Sequence, residues 1–133
     1  MTVSRSDRKY DIEDRLLAFT EQLLGMVEAL PPTRIGNHIA GQLTRCGTSP
    51  LANYAEAQGG ESRADFLHKL RVVLKELRET RVWLLLVQRK GLVDGAASLQ
   101  ATIDESNELI SILFASVRTA ERRKDTPGPS RPP

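Results

Sequence analysis

Apolar side chains return every three or four residues along most of this chain, and four stretches hold that spacing long enough to predict helices. The first runs from about Asp11 to Leu30. In it Ile12, Leu16, Phe19, Leu23, Val27 and Leu30 share one helical face. Asp11 is placed to cap this helix, and Pro31-Pro32 ends it, because a proline disfavours helical geometry in the residue before it.

The second stretch opens on Thr33 as N-cap and carries Ile35, Ile39, Leu43 and Cys46 on its apolar side. It then meets Gly47-Thr48-Ser49-Pro50, which opposes helix, before the firm break at Gly59-Gly60. The apolar phase survives this obstacle. Continued through it, Pro50, Tyr54 and Ala57 extend the same stripe. A loop would have no reason to keep register, so the residues read as a joint. Either one helix passes through Pro50 with a kink, or it breaks briefly and restarts with Ser49 as N-cap. Arg45, Ser49, Asn53 and Glu56 form a polar row beside the stripe, in line with His38 and Gln42.

The third stretch starts at Ser62, whose Ser-x-x-Asp spacing resembles a capping box, and runs to Lys90 with Gly91 as its stop. Phe66, Leu70, Val73, Leu74, Leu77, Leu84 and Leu85 fall on one face, with Arg81 in its middle. A buried Arg81 needs a partner, and Glu56 and Glu79 are candidates. Val82, Trp83, Leu86 and Val87 point away from that face. They serve either as a helix end tucked into its own bundle or as a surface that packs on another subunit. The fourth stretch, about Ser98 to Arg122, has Leu99, Ile103, Ile110, Leu113 and Val117 in its stripe, Ser106 within it and Phe114 beside it.

No strand pattern competes. Four amphipathic helices joined by short connections predict an all-α fold, an antiparallel up-down-up-down four-helix bundle with its second helix kinked or interrupted near Gly47–Pro50. The bundle is expected over residues 10–124, between a disordered segment at 1–9 and a disordered Pro-rich tail at 125–133.

Composition narrows the function more than it names one. The 133 residues suit one domain, and with aromatics at 5% the core must be aliphatic. The longest apolar run, Val82 to Val87, is far below the roughly 20 residues needed to span a bilayer. No secretory signal is expected at the start, and a single cysteine excludes an internal disulfide, so the expected setting is the cytoplasm without a membrane partner. Net charge is only +2, but residues 31–95 hold 10 basic and 6 acidic side chains, a net of +4. No zinc, di-iron, P-loop or nucleophile-elbow spacing occurs, and Cys46 reads as a packed small hydrophobe. No catalytic residue, cofactor or metal is expected. The row Arg45, Ser49, Asn53, Glu56, with Arg81 opposite, reads as interface polarity satisfied between helices. The alternative is a small polar pocket.

The run from Ala29 to Leu84 resembles the bacterial four-helix-bundle proteins, also called 23S rRNA intervening-sequence proteins. Leu30-Pro31, Gln42-Leu43, Arg45, Thr48-Ser49, Asn53, Glu56-Ala57, Ser62 and Asp65-Phe66 carry the likeness, as does the run through Leu77 and Glu79. It covers about residues 12–115. The sequence departs from the family's pattern at Cys46, where Ser is usual, and at Pro50, where a small or β-branched residue is usual. The resemblance implies a left-handed bundle that assembles into a homo-oligomer, typically a pentamer. It also implies a fold similar to a basic, nucleic-acid-binding accessory protein of diversity-generating retroelements. With the basic middle section, it suggests RNA contacts from Arg34, Arg63, Lys69, Arg71, Lys75, Arg78, Arg122, Arg123 and Lys124. The scarcity of aromatics argues against a single-strand-specific binder, and a scaffold for a protein partner is the other reading.

Overall fold

The computed structural model describes residues 5–59 and 62–125, with side chains from Ile12 to Gly59 and from Ser62 to Arg123. Four helices follow in order, α1 Arg5–Glu28, α2 Arg34–Gln58, α3 Arg63–Lys90 and α4 Ala96–Asp125. Each packs on its neighbour in sequence, α2 and α3 most extensively, and α1 meets α4 to close the bundle. No strand occurs among the described residues.

The caps explain where most of the helices start and stop. The Gly36 N–H donates to Thr33 Oγ1 at 3.0 Å, and the Asp65 N–H donates to Ser62 Oγ at 3.1 Å. Each bond satisfies a donor that the first helical turn leaves free. Gly91 takes the left-handed conformation, φ 61° and ψ 43°, which glycine adopts without a side-chain clash. α1 begins at Arg5, so Asp11 lies inside the helix and is not its cap. Residues 1–4, 60–61 and the tail after Asp125 lie outside the described residues.

α2 is continuous through Pro50, which settles the joint in favour of one helix. Pro50 is buried on the inner face with Cys46 and Tyr54, and the preceding turn brings Gly47 against Leu23 of α1. A Cβ on Gly47 would stand 2.4 Å from the Leu23 Cδ2, so close approach of α1 and α2 accounts for the glycine. Ile35, expected at the head of the stripe, is exposed. Gly36 is buried in its place, pressed on the Pro31 carbonyl by the tight α1–α2 turn.

The core is aliphatic: Leu16, Leu23, Leu43, Leu70, Leu77, Leu84, Leu109 and Leu113 are almost wholly buried, with Phe19 the large ring among them. Leu109 joins the α4 face although it was not in the expected stripe. On α3 the inner position expected of Arg81 belongs to Thr80, whose hydroxyl donates to the Glu76 carbonyl at 2.8 Å. Thr20, Thr102 and Ser106 satisfy their hydroxyls on their own helices in the same manner. Among the described residues no buried side-chain polar atom lacks a partner.

Candidate nucleic-acid interface

The polar row of α2 lies along the seam with α3. The Arg45 guanidinium bonds both the Glu79 carboxylate and the Gln42 amide oxygen. The Asn53 amide donates to Ser49 Oγ at 2.9 Å and to Glu76 Oε1 at 3.2 Å. Glu56 accepts from Lys69 Nζ at 2.8 Å. Trp83 extends the seam upward: its Nε1–H donates to Glu79 Oε2 at 3.3 Å, and its ring meets His38 edge-on at 5.9 Å. Each row residue is therefore spent on α3 or on its own helix. Arg81 is not part of it. It sits at the α4 edge and donates to Asn107 Oδ1 at 2.6 Å, while the glutamates expected to pair with it serve Arg45 and Lys69.

The basic residues singled out in the sequence divide by position. Arg71, Lys75 and Arg78 are exposed on the outer side of α3, where helical spacing puts them in one stripe. Arg71 bonds Glu121 of α4 at 3.1 Å. Arg78 rests over the Phe114 ring with 5.9 Å from guanidinium carbon to centroid, and Arg118 of α4 does the same. Arg118 thus belongs to the basic cluster, although the sequence reading omitted it. Its spacing of four from Phe114 was the available signal. Arg34, at the start of α2, stands at the other end of the bundle from Arg63, at the start of α3. Lys69 faces α2. Arg63 donates to the Arg123 carbonyl at 3.2 Å, and Arg122 is exposed nearby on α4. The Lys124 side chain lies outside the described residues.

Arg63 and Arg123 also flank a cavity of about 540 Å³ between the start of α3 and the end of α4, lined by Phe66, Leu70, Ile112 and Ala120. It lies away from the α2 row, so the row does not line it.

The four residues expected to face outward on α3 separate as well. Val82 and Leu86 are exposed, by 60% and 40%. Trp83 is half-buried in the α2 seam. Val87 is fully buried in the chain's own core and is unavailable to a second subunit, because one more turn of α3 rotates it back toward the inner face.

Burial raises the Cys46 thiol above its ordinary 9.0, and a hydrogen bond with Thr80 opposes this only in part. Burial also raises Tyr54 above 10.0, reinforced by the Glu13 charge. The Glu56 carboxylate, through its hydrogen bond and then its charge, raises Lys69. None of these shifts poises a group near neutrality for acid–base work. Among the described residues no cluster of histidine, cysteine or carboxylate side chains has the form of a metal site.

Comparison with known proteins places this geometry in context. A family model described as 23S rRNA-intervening sequence protein matches residues 8–115. The chain is similar to a crystal structure from Bacteroides thetaiotaomicron, a protein of unknown function from the S23 ribosomal protein family. That likeness has 30% identity, a TM-score of 0.73, and covers 80% of this chain and 97% of the other. No curated protein matches.

Proposed function

Because the chain belongs to the 23S rRNA-intervening sequence protein family, we propose that it is a non-enzymatic helical-bundle protein that self-associates and binds structured RNA. The observation that carries the reading is the outer stripe of α3. Its first half presents Arg71, Lys75 and Arg78, joined by Arg118 from α4, and its second half presents Val82 and Leu86. From Arg71 to Arg78 the stripe rises about 10 Å at 1.5 Å per residue, a length that meets adjacent phosphates of a folded RNA. The exposed aliphatic half is the surface for a second copy. The family resemblance implies five copies, and five weak patches held on one assembly bind with multiplied strength.

The two halves are tested separately. Light scattering should give a solution mass that is a multiple of 14.8 kDa, and V82E with L86E should reduce it. A monomeric wild type overturns the assembly. Binding to a structured 23S rRNA fragment should weaken steeply between 50 and 200 mM salt, with the slope flattened by K75Q and R118Q and left nearly unchanged by R34Q. Absence of binding at 50 mM salt overturns the RNA reading. A host-cell pull-down that recovers one protein and no RNA would replace it with a protein-scaffold role.

A further inference from the structure

Phe114 stands out against the charged surface around it. Phe114 is 45% exposed on α4, and it is the one Phe, Tyr or Trp among the described residues left that open. Phe19 and Tyr54 are in the core, and Phe66 and Trp83 are partly covered. An exposed ring in mid-helix gains little from burial, and the neighbours leave it so. Arg78 reaches it from α3 and Arg118 from the next turn of α4, each guanidinium 5.9 Å from the centroid.

These two arginines differ from the others along the helix seams. Arg45 and Arg71 are tied to carboxylates, and Arg81 to an amide oxygen. Arg78 and Arg118 rest on a π face and make no ion pair among the described residues. A cation–π contact orients a guanidinium but uses none of its five N–H donors. Lys75, one turn before Arg78, is likewise exposed with no ion pair. The result is an exposed aromatic ring rimmed by three cations whose donors are open.

We propose that this cluster is a stacking site for one unpaired nucleotide of a structured RNA. The base stacks on the open part of the Phe114 ring. Arg78, Arg118 and Lys75 take the flanking phosphates. Aromatic rings and guanidinium planes are the surfaces on which proteins stack splayed bases, whereas a duplex offers no free base face. The inference rests on the RNA reading and adds the feature selected: a bulge or loop nucleotide beside a helix.

The test uses two RNA hairpins, identical except that one carries a single bulged 2-aminopurine. The full-length wild-type protein should bind the bulged hairpin about tenfold more tightly, within the range one stacked base contributes, and its fluorescence should be quenched on binding. F114A and F114L should abolish preference and quenching, while affinity for the unbulged hairpin falls far less, through the lost support of Arg78 and Arg118. F114W should keep both. Circular dichroism confirms that the variants fold. If F114A binds the bulged hairpin as tightly and with the same quenching, the stacking site is wrong while RNA binding stands. Equal losses on both hairpins would mark Phe114 as structural and overturn it too. If the wild type binds neither hairpin at 50 mM salt, the RNA reading fails and the stacking site with it.

Discussion

Gly47 and Gly41 occupy the same helix and should respond oppositely to alanine. A methyl on Gly41 meets nothing within 4 Å. G41A should therefore raise stability by up to about 1 kcal/mol, the usual gain on replacing a mid-helix glycine. At Gly47 the same methyl would overlap Leu23, which is fully buried and would have to shift within a packed core. Overpacking costs of about 1–3 kcal/mol should exceed the helix gain, so G47A lowers stability, as urea unfolding would show. Two buried groups and one seam lysine titrate together at this scale. Cys46, Tyr54 and Lys69 all have raised folded-state values. Above the ordinary thiol value of 9.0 the unfolded chain releases protons that the folded chain retains, so ΔG of unfolding falls with rising pH. The Cys46 contribution fades first, then those of Tyr54 and Lys69, and the melting temperature should decline progressively from about pH 9 upward. A flat profile from pH 8 to 11 would contradict this.

Helices α2 and α3 are joined by a seam whose polar bonds decide alignment more than total stability. Arg45 is well exposed and Glu79 partly so, and their solvent-screened ion pair contributes at most about 1 kcal/mol. E79A should therefore destabilise little, yet it removes the acceptor of the Trp83 N–H and should shift that residue's fluorescence. Asn53 is partly buried and bridges Ser49 to Glu76. N53A should cost about 1 kcal/mol and E56A less, with RNA affinity and assembly mass unchanged. Loss of RNA binding in N53A without loss of stability would make the seam a ligand site. The row's alignment was legible in the sequence because its residues recur at helical spacing beside an apolar stripe whose phase crosses Pro50. Its partners were not, because Glu76 and Glu79 could be matched to α2 only once the axial offset of α3 was set.

On the outer face of α3 a basic half, Arg71 to Arg78, adjoins an exposed aliphatic half, Val82 and Leu86, so the proposed RNA-binding and assembly surfaces are neighbours. A V82E/L86E variant that lowers the mass should also lower apparent RNA affinity through lost multivalency, while its basic stripe stays intact. The sequence by itself determined the four helices, their caps at Thr33, Ser62 and Gly91, and most of the core. Those features depend on periodicity and on backbone chemistry within a few residues. Tertiary structure alone decided that Thr80 and not Arg81 faces inward, that Val87 returns to the core, and that Arg78 of α3 reaches the Phe114 ring of α4. Each depends on the rotation and offset of one helix against another. A wheel of ideal pitch leaves these uncertain by a residue or more, while close packing of side chains admits one arrangement.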